Sequence, residues 1–482
     1  MEDFARSTEA ASPLVVDVDG TLLRTDLLYE GVAALLFRKP WLLPLLPVWL
    51  LGGRAALKRK LNEAVEVEVA ALPVNASLLE WLQAEKARGR ALYLVSASDE
   101  TVVRRLAARF GNLFNGAYGS DGKSNLAGAK KLAFILAQIG AEFSYAGDER
   151  RDLAIWEECR SAVLAGAGCA LRKELSPHVN VAGEFACPMA GVMTWVRALR
   201  MQQWAKNLLL FVPLVLSGHA WDAPRVLQVM IGFAAFSLMA SATYLLNDLS
   251  DLAADRQHRS NSQRPLASGE LPLRSAFLAL PLLVLAVVGL LTQLPTMFGA
   301  VALLYLVVTL SYSFALKRRP ILDLLCLAML YSVRIVAGMV ASVSVLSPWL
   351  LVFAMFFFTS LAAVKRYSEC LVAVAENKAD LAGRGYRAGD GPVLMSIGIA
   401  SGFCASLVFF LYLVDPASPS SQYPHPQTLW CVCVILAYWL GRVWLLAGRG
   451  EMHDDPVAFA LRDRTSLFLA AACALLAVSA TA

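Results

Sequence analysis

Three aspartates, Asp248, Asp251 and Asp255, recur at i, i+3 and i+7 in the stretch N-D-L-S-D-L-A-A-D-R-Q-H-R-S-N-S-Q-R-P, residues 247–265. A helix continued from the preceding apolar run, 226–246, presents all three on one face. Carboxylates on one stripe repel unless a cation sits among them. Mg²⁺ is the natural guest, since it takes one or two carboxylates and leaves its other positions to water and substrate phosphate oxygens. Arg264, nine residues on, adds a planar fork suited to phosphate. A second set lies near the N-terminus. Asp17 and Asp19 point the same way from a strand end, and Gly20 permits the sharp turn that follows. Ser96 ends a second strand, Lys130 and Lys131 open a helix, and Gly147-Asp148 ends a third strand with Asp152 one helical turn later.

The elements that must position the N-terminal set are strands alternating with helices. Strands at 14–18, 91–95, 143–146 and 162–165, with helices between them, predict an open α/β sheet whose site lies at its carboxyl edge. About 65 residues of helical character, 25–90, separate the first two strands. Within them the Trp/Leu/Pro-rich run 40–51 is too short to span a bilayer. It reads as a cap over a pocket or as an interfacial wedge, with cap packing the expectation.

Beyond residue 195 the chain is apolar runs broken by short charged loops. Hydrophobic residues make up 57% of the 482, charged residues 17%, and the mean hydropathy is +0.55. Nine spans are expected, at 205–217, 226–247, 276–292, 297–316, 321–343, 348–364, 393–414, 428–447 and 465–481. With the N-terminus inside, nineteen Lys and Arg flank the cytoplasmic side, Arg256, Arg259 and Arg264 among them, against Arg225 alone on the other. That bias obeys the positive-inside rule and puts both carboxylate sets in the cytoplasm. The division expected is 1–175, a linker at 176–194, and a membrane domain from 195 to 482. Residues 1–12 carry acidic groups and no apolar segment of a secretory signal. The nine cysteines form no C-x-x-C pair and suggest no disulfide framework. The net charge of +5 is spread along span flanks, so no nucleic-acid partner is expected.

Asp17-x-Asp19-x-Thr21, a strand-end Ser96, a helix-opening lysine and Gly147-Asp148-x-x-x-Asp152 resemble the four motifs of the haloacid dehalogenase phosphatases. The match covers about 12–175, and the helical insert resembles a small cap. The resemblance implies a Rossmann-like fold, Asp17 as nucleophile, and Asp19 as general acid and base. It also implies Ser96 with Lys131 on the phosphoryl oxygens, and Mg²⁺ on Asp17, Asp148 and the carbonyl of Asp19, supported by Asp152. Lys130 competes for the lysine role; Lys131 better fits the usual distance from Gly128. A carboxylate attacking a phosphate dianion needs such a metal and ammonium to offset repulsion.

Asn247-Asp248-x-x-Asp251-x-x-x-Asp255 with Arg264-Pro265 resembles the first aspartate-rich motif of the UbiA superfamily, an all-helical nine-span fold. Members that move prenyl groups carry a second DxxxD after the sixth span. Here that loop, from Lys365 to Arg387, is basic, and Glu369, Glu376 and Asp380 do not make the motif. Gln203-Trp204-x-Lys206-Asn207, Tyr312-Ser313-Phe314-Ala315-Leu316-Lys317, Asp323, Arg334 and Lys365-Arg366-Tyr367-x-Glu369 resemble the decaprenyl-phosphate phosphoribosyltransferase branch. That branch implies phosphoribosyl pyrophosphate as donor and a polyprenyl phosphate as acceptor. Such a donor needs a metal site plus cations, and Lys206, Arg264, Lys317, Arg334, Lys365 and Arg366 are the candidates. Arg334 lies inside an apolar span, where an unpaired guanidinium costs at least ~2.5 kcal/mol; a structural pair with Asp323 is the competing reading. Arg318 and Arg319 read as span anchors.

The expectation is an inner-membrane enzyme that makes a lipid-linked pentose 5-phosphate and removes that phosphate. The rivals are prenyl transfer to an aromatic acceptor and a membrane-anchored phosphatase.

Overall fold

A computed structural model describes residues 12–187, 190–217, 219–258, 261–344, 348–381, 384–415, 425–452, 456–460 and 462–481. Arg259 of the charge count lies outside them. The chain forms two compact units. One comprises Met1–Arg200 with Tyr244–Leu282, the other Met201–Thr243 with Leu283–Ala482. The aspartate stretch thus packs with residues that precede it by more than two hundred positions.

The first unit is built on a six-stranded, all-parallel sheet: β1 Leu14–Val16, β2 Leu92–Asp99, β3 Gly116–Ser120, β4 Ser144–Gly147, β5 Ser161–Ala165 and β6 Val181–Phe185. Their order is β3-β2-β1-β4-β5-β6. β1, β4 and β5 are buried throughout, as a sheet covered on both faces requires. Leu14, Leu92 and Val163 join one apolar core, while Val15, Val95, Phe143 and Trp156 join the other. Strand order reverses between β1 and β4, so a crevice opens at their carboxyl ends. Asp17 and Asp148 follow those two strands directly.

The six strands correct the four expected. β3 reads G-A-Y-G-S, a poor strand sequence; a Cβ on its Gly119 would fall 2.5 Å from the backbone of Glu100, so close packing demands the glycine. β6 falls inside the stretch expected to be a linker, 176–194, and pairs with β5.

Between β1 and β2 run α1 Leu27–Arg38, α2 Arg54–Ala64 and α3 Ala76–Ala87. Asp26 caps α1 by accepting from the N–H of Leu28, and Asn75 caps α3. The run 40–51 folds as a 3₁₀ turn and a short helix. Leu42, Leu43, Leu46 and Trp49 pack on Leu35 and Leu61, whereas Trp41, Val48 and Leu51 stay exposed. The segment therefore packs on one face only. α4 Glu100–Arg109 and α5 Ala129–Gln138 complete the flanking helices used below.

Seven helices among the described residues are long and apolar enough to cross a membrane. They are α6 Ala223–Ser250, α7 Leu273–Leu291, α8 Thr296–Phe314, α9 Leu322–Ala341, α10 Pro348–Ala375, α11 Gly391–Val414 and α12 Trp430–Gly448. Nine were expected. The first, 205–217, divides into a 3₁₀ stretch Met201–Leu210 and the six-residue helix Phe211–Leu216, which contains Pro213. The last falls just short, with apolar helix over Arg464–Ala480. In the second unit Leu210, Phe236, Phe298 and Tyr305 form the centre of one apolar cluster, and Leu324, Ala363 and Trp444 belong to another.

Candidate active sites

The carboxyl edge of β1 and β4 gathers the N-terminal set. Lys131, in the first turn of α5, is buried with its ammonium 2.7 Å from Asp17 Oδ2. It also donates to the Tyr145 hydroxyl at 2.9 Å, which in turn donates to Asp152 Oδ1 at 2.9 Å. Lys130, its neighbour, is exposed, so the fold puts Lys131 against the carboxylates. Asp148 accepts from Thr21, and Asp152 accepts from the backbone N–H groups of Asp148 and Glu149. Gly20 has φ +74°, and a Cβ there would lie 2.1 Å from Asp148 Oδ2, so only glycine lets the two strand ends approach.

Carboxylate oxygens of Asp17, Asp148 and Asp152 lie within 4.8 Å of one another. Three carboxylates around a single ammonium leave excess negative charge. Burial, and then Asp17 and Asp152, push Asp148 well above the usual carboxylate range. Burial lifts Asp152 to about 6 against the pull of Lys131. Burial depresses Lys131, but Asp17 and Asp152 outweigh it and hold its pKa above the ordinary lysine value. Oxygen donors with surplus charge in a tight group fit a divalent cation such as Mg²⁺.

Asp19 turns away from this cluster. Its carboxylate accepts from the N–H of Leu27 at 2.8 Å, from Ser98 at 2.6 Å and from Ser96 at 3.4 Å. Burial first, and Asp26 second, push its pKa up to about 7. Thr21 belongs to the motif read from the sequence, whereas Ser98 and Tyr145 were not singled out, since isolated hydroxyls carry no spacing signal.

The second carboxylate set departs from the one-face expectation. Helix α6 ends at Ser250, and Asp251 becomes the N-cap of a short helix, Leu252–Gln257. The turn leaves Asp251 exposed beside Ser250, while Asp248 and Asp255 are buried. Arg264 Nη1 stands between those two, 3.3 Å from Asp248 Oδ1 and 2.6 Å from Asp255 Oδ2. Arg200, a residue not selected from the sequence, reaches Asp248 at 2.5 Å from a left-handed backbone conformation (φ 48°) and stacks over Tyr244. Asn261 donates to Asp255, and Asn247 is half-buried. Arg264 and Arg200 thus balance the charge of the buried Asp248 and Asp255.

In the second unit the remaining candidates form two groups. Arg334 donates to Asn207 Oδ1 at 2.7 Å, to the Leu330 carbonyl at 2.7 Å and to the Tyr305 hydroxyl at 2.9 Å. It does not pair with Asp323. Its guanidinium and the Lys206 ammonium both stand 5.7 Å from the centre of the Tyr331 ring. Neutral acceptors and an aromatic face hold the Arg334 guanidinium without cancelling its charge.

Asp323 instead pairs with Arg366 at 2.6 Å and accepts from Tyr386. Arg366 also donates to Glu369 and to the Tyr312 hydroxyl, so all its nitrogens are engaged. That guanidinium ties Tyr312, Asp323 and Glu369 together rather than standing open to a phosphate. Lys317 and Lys365 are half-buried.

The UbiA prenyltransferase family matches residues 208–478, more than half of the chain. The chain belongs to that family. With its seven span-length helices this UbiA-family protein is a multi-pass membrane protein. An uncharacterized protein of Sinorhizobium fredii is 39% identical over 462 residues, covering 95% of this chain and 89% of its own. Nodulation protein NoeC of Azorhizobium caulinodans is 35% identical over 277 residues, 57% of this chain and 89% of that protein. Decaprenyl-phosphate phosphoribosyltransferase of Mycobacterium tuberculosis is 31% identical over 289 residues, 59% of this chain and 92% of that enzyme.

Proposed function

We propose that the UbiA-family region transfers 5-phosphoribose from phosphoribosyl pyrophosphate to a polyprenyl phosphate, and that the N-terminal α/β region removes the 5-phosphate as a haloacid dehalogenase-type phosphatase. The observation that carries the first half is Arg334, buried within α9 and held by Asn207, the Leu330 carbonyl and Tyr305, with Lys206 on the same Tyr331 ring. A donor with two separate phosphate groups needs cations beyond a metal site, and Arg334, held by these three neutral acceptors rather than by a carboxylate, suits that role. The similarity to the mycobacterial phosphoribosyltransferase supports the same donor. The loop after α10 is basic and lacks a second aspartate motif that prenyl transfer would use.

In the transfer, the bond between the anomeric carbon and the pyrophosphate oxygen breaks, and a lipid phosphate oxygen bonds to that carbon. Asp248 and Asp255, with the exposed Asp251, are the residues that would hold Mg²⁺, which when bound neutralises the leaving pyrophosphate. Displaced from the carboxylates, Arg264 is placed to pair with a phosphate oxygen. The acceptor is already anionic, so no strong base is required.

In the hydrolysis, Asp17 attacks phosphorus and the ester P–O bond breaks, while Asp19 gives its proton to the leaving alkoxide. Water then cleaves the aspartyl-phosphate as Asp19 takes a proton back, releasing inorganic phosphate. Lys131 offsets charge on the phosphoryl oxygens throughout. Asp17, Asp148 and Asp152 would hold the Mg²⁺ of this site. The lysine and arginine bias of the span flanks supports an inner-membrane protein with both sites cytoplasmic.

The test is donor exchange in membranes. Label from phosphoribosyl pyrophosphate should enter the lipid fraction when polyprenyl phosphate is supplied. Product from polyprenyl diphosphate plus an aromatic acid, with none from the sugar donor, overturns the reading in favour of prenyl transfer.

A further inference from the structure

The phosphatase cavity contains about 390 Å³ and has Asp17, Asp19, Lys131 and Asp152 in its wall. The rest of its lining is mixed, charged on one part and apolar on another. Asp26, Lys58, Glu149 and Arg151 are charged, Leu28, Tyr29, Leu50 and Leu57 give an apolar part, and Arg54 and Arg274 add further cations. Arg274 is the unexpected member. It belongs to the first turn of α7, a helix apolar enough to cross a membrane, and lies within the stretch matched to the UbiA family. Its side chain is exposed and forms part of the cavity wall.

One ring contact brings the cavity to that helix end. Tyr29, in the wall, stacks on Phe277, one turn along α7 from Arg274, at 6.1 Å and 28° between planes. Further along the same helix Leu278 and Leu282 are exposed, as residues facing lipid are. On the other border Leu50 belongs to the segment 40–51, whose Trp41, Val48 and Leu51 are exposed on one side. A phosphate site bordered by the end of a membrane helix and by an exposed apolar edge is placed for a substrate that arrives in the bilayer surface.

We propose that this cavity takes a membrane-borne phosphomonoester carrying a second phosphate, and that Arg274 pairs with that second phosphate. The proposal rests on the phosphatase reading and deepens it. Lys131 and the carboxylate cluster serve the monoester, leaving Arg274 to select the lipid-linked group. A soluble sugar bisphosphate offers the same two phosphates without the lipid, so the test must separate them.

The full-length protein in lipid nanodiscs is assayed for phosphate release from three esters: a polyprenyl-phosphoryl ribose 5-phosphate, ribose 1,5-bisphosphate and p-nitrophenyl phosphate. Wild type should favour the lipid-linked ester over the soluble bisphosphate by about tenfold or more in kcat/KM. Arg274→Ala should lower kcat/KM for the lipid-linked ester about tenfold more than for p-nitrophenyl phosphate, chiefly through KM, as loss of a charge-assisted contact requires. Arg274→Lys should recover part of that selectivity. Equal losses on the two esters, or equal use of the soluble bisphosphate by wild type, overturn the proposal. Wild type inactive on all three overturns the phosphatase reading itself.

Discussion

Arg256 and Glu30, 226 positions apart, form a two-pronged ion pair with both side chains only 6% exposed. The prongs measure 2.6 and 3.1 Å; Thr25 donates to the same carboxylate, and Arg256 Nε donates to the carbonyl of Ala267. The pair fastens α1, beside the cavity lined by Asp17 and Lys131, to the segment that follows Asp248 and Asp255. Thr194 and Arg197 add a second tie to Glu270.

Removing one partner leaves a buried charge uncompensated. Arg256→Ala should therefore destabilise the protein by about 3–5 kcal/mol, whereas Arg256→Met combined with Glu30→Leu should recover most of the loss. Thermal unfolding of the two variants beside wild type checks this. An unchanged midpoint in Arg256→Ala would show that the tie contributes nothing.

Lys131 and Lys130 are adjacent in sequence and opposite in environment. Lys131→Met should slow hydrolysis of p-nitrophenyl phosphate by about a hundredfold or more, the scale for losing a group that stabilises developing charge. Lys130→Met, at an exposed position, should stay within about twofold of wild type, since surface changes away from a site have small effects. Steady-state kinetics of the pair would separate the roles.

Asp248 and Asp251 were expected to act alike, yet only Asp248 is buried and shares Arg264 with Asp255. Asp248→Asn should cut label transfer from phosphoribosyl pyrophosphate by about a hundredfold, with Asp251→Asn costing less. Phosphate release from p-nitrophenyl phosphate should survive both. Equal loss of both activities in well-expressed Asp248→Asn would contradict two separate sites.

Among the cations of the second unit, two kinds of effect are expected. Asp323→Ala takes one of two carboxylates from buried Arg366 and the acceptor from the Tyr386 hydroxyl, and should destabilise the protein by about 1–3 kcal/mol, read as a lower unfolding midpoint. Lys206→Met should raise KM for phosphoribosyl pyrophosphate about tenfold, the scale of one charge-assisted contact. Midpoints and KM values measured on the same preparations decide between scaffold and ligand.

What could be read in advance follows from local signals. Buried apolar runs announce β1, β2, β4 and β5, and the polar residues at their ends announce the site, because a parallel sheet exposes its carboxyl edge to a crevice. β3 escapes because Gly116 and Gly119 erase its apolar pattern, and β6 because it sits among residues of linker composition. Spacing alone put three aspartates on one helix face; the helix break at Asp251 could not be read from it. Hydropathy counts the span at 205–217 but does not weigh Pro213 heavily enough. Partners such as Arg334 with Asn207 and Arg256 with Glu30 are set by tertiary packing, and no local pattern encodes them.

The central claim is that the two regions act in series on one lipid. Membranes carrying wild type or Asp17→Asn are supplied with labelled phosphoribosyl pyrophosphate and polyprenyl phosphate, and the labelled lipids are separated by thin-layer chromatography. Asp17→Asn should incorporate label as wild type does and accumulate the 5-phosphorylated lipid, while wild type yields the dephosphorylated one. The same ratio of the two lipids in both membranes would contradict it.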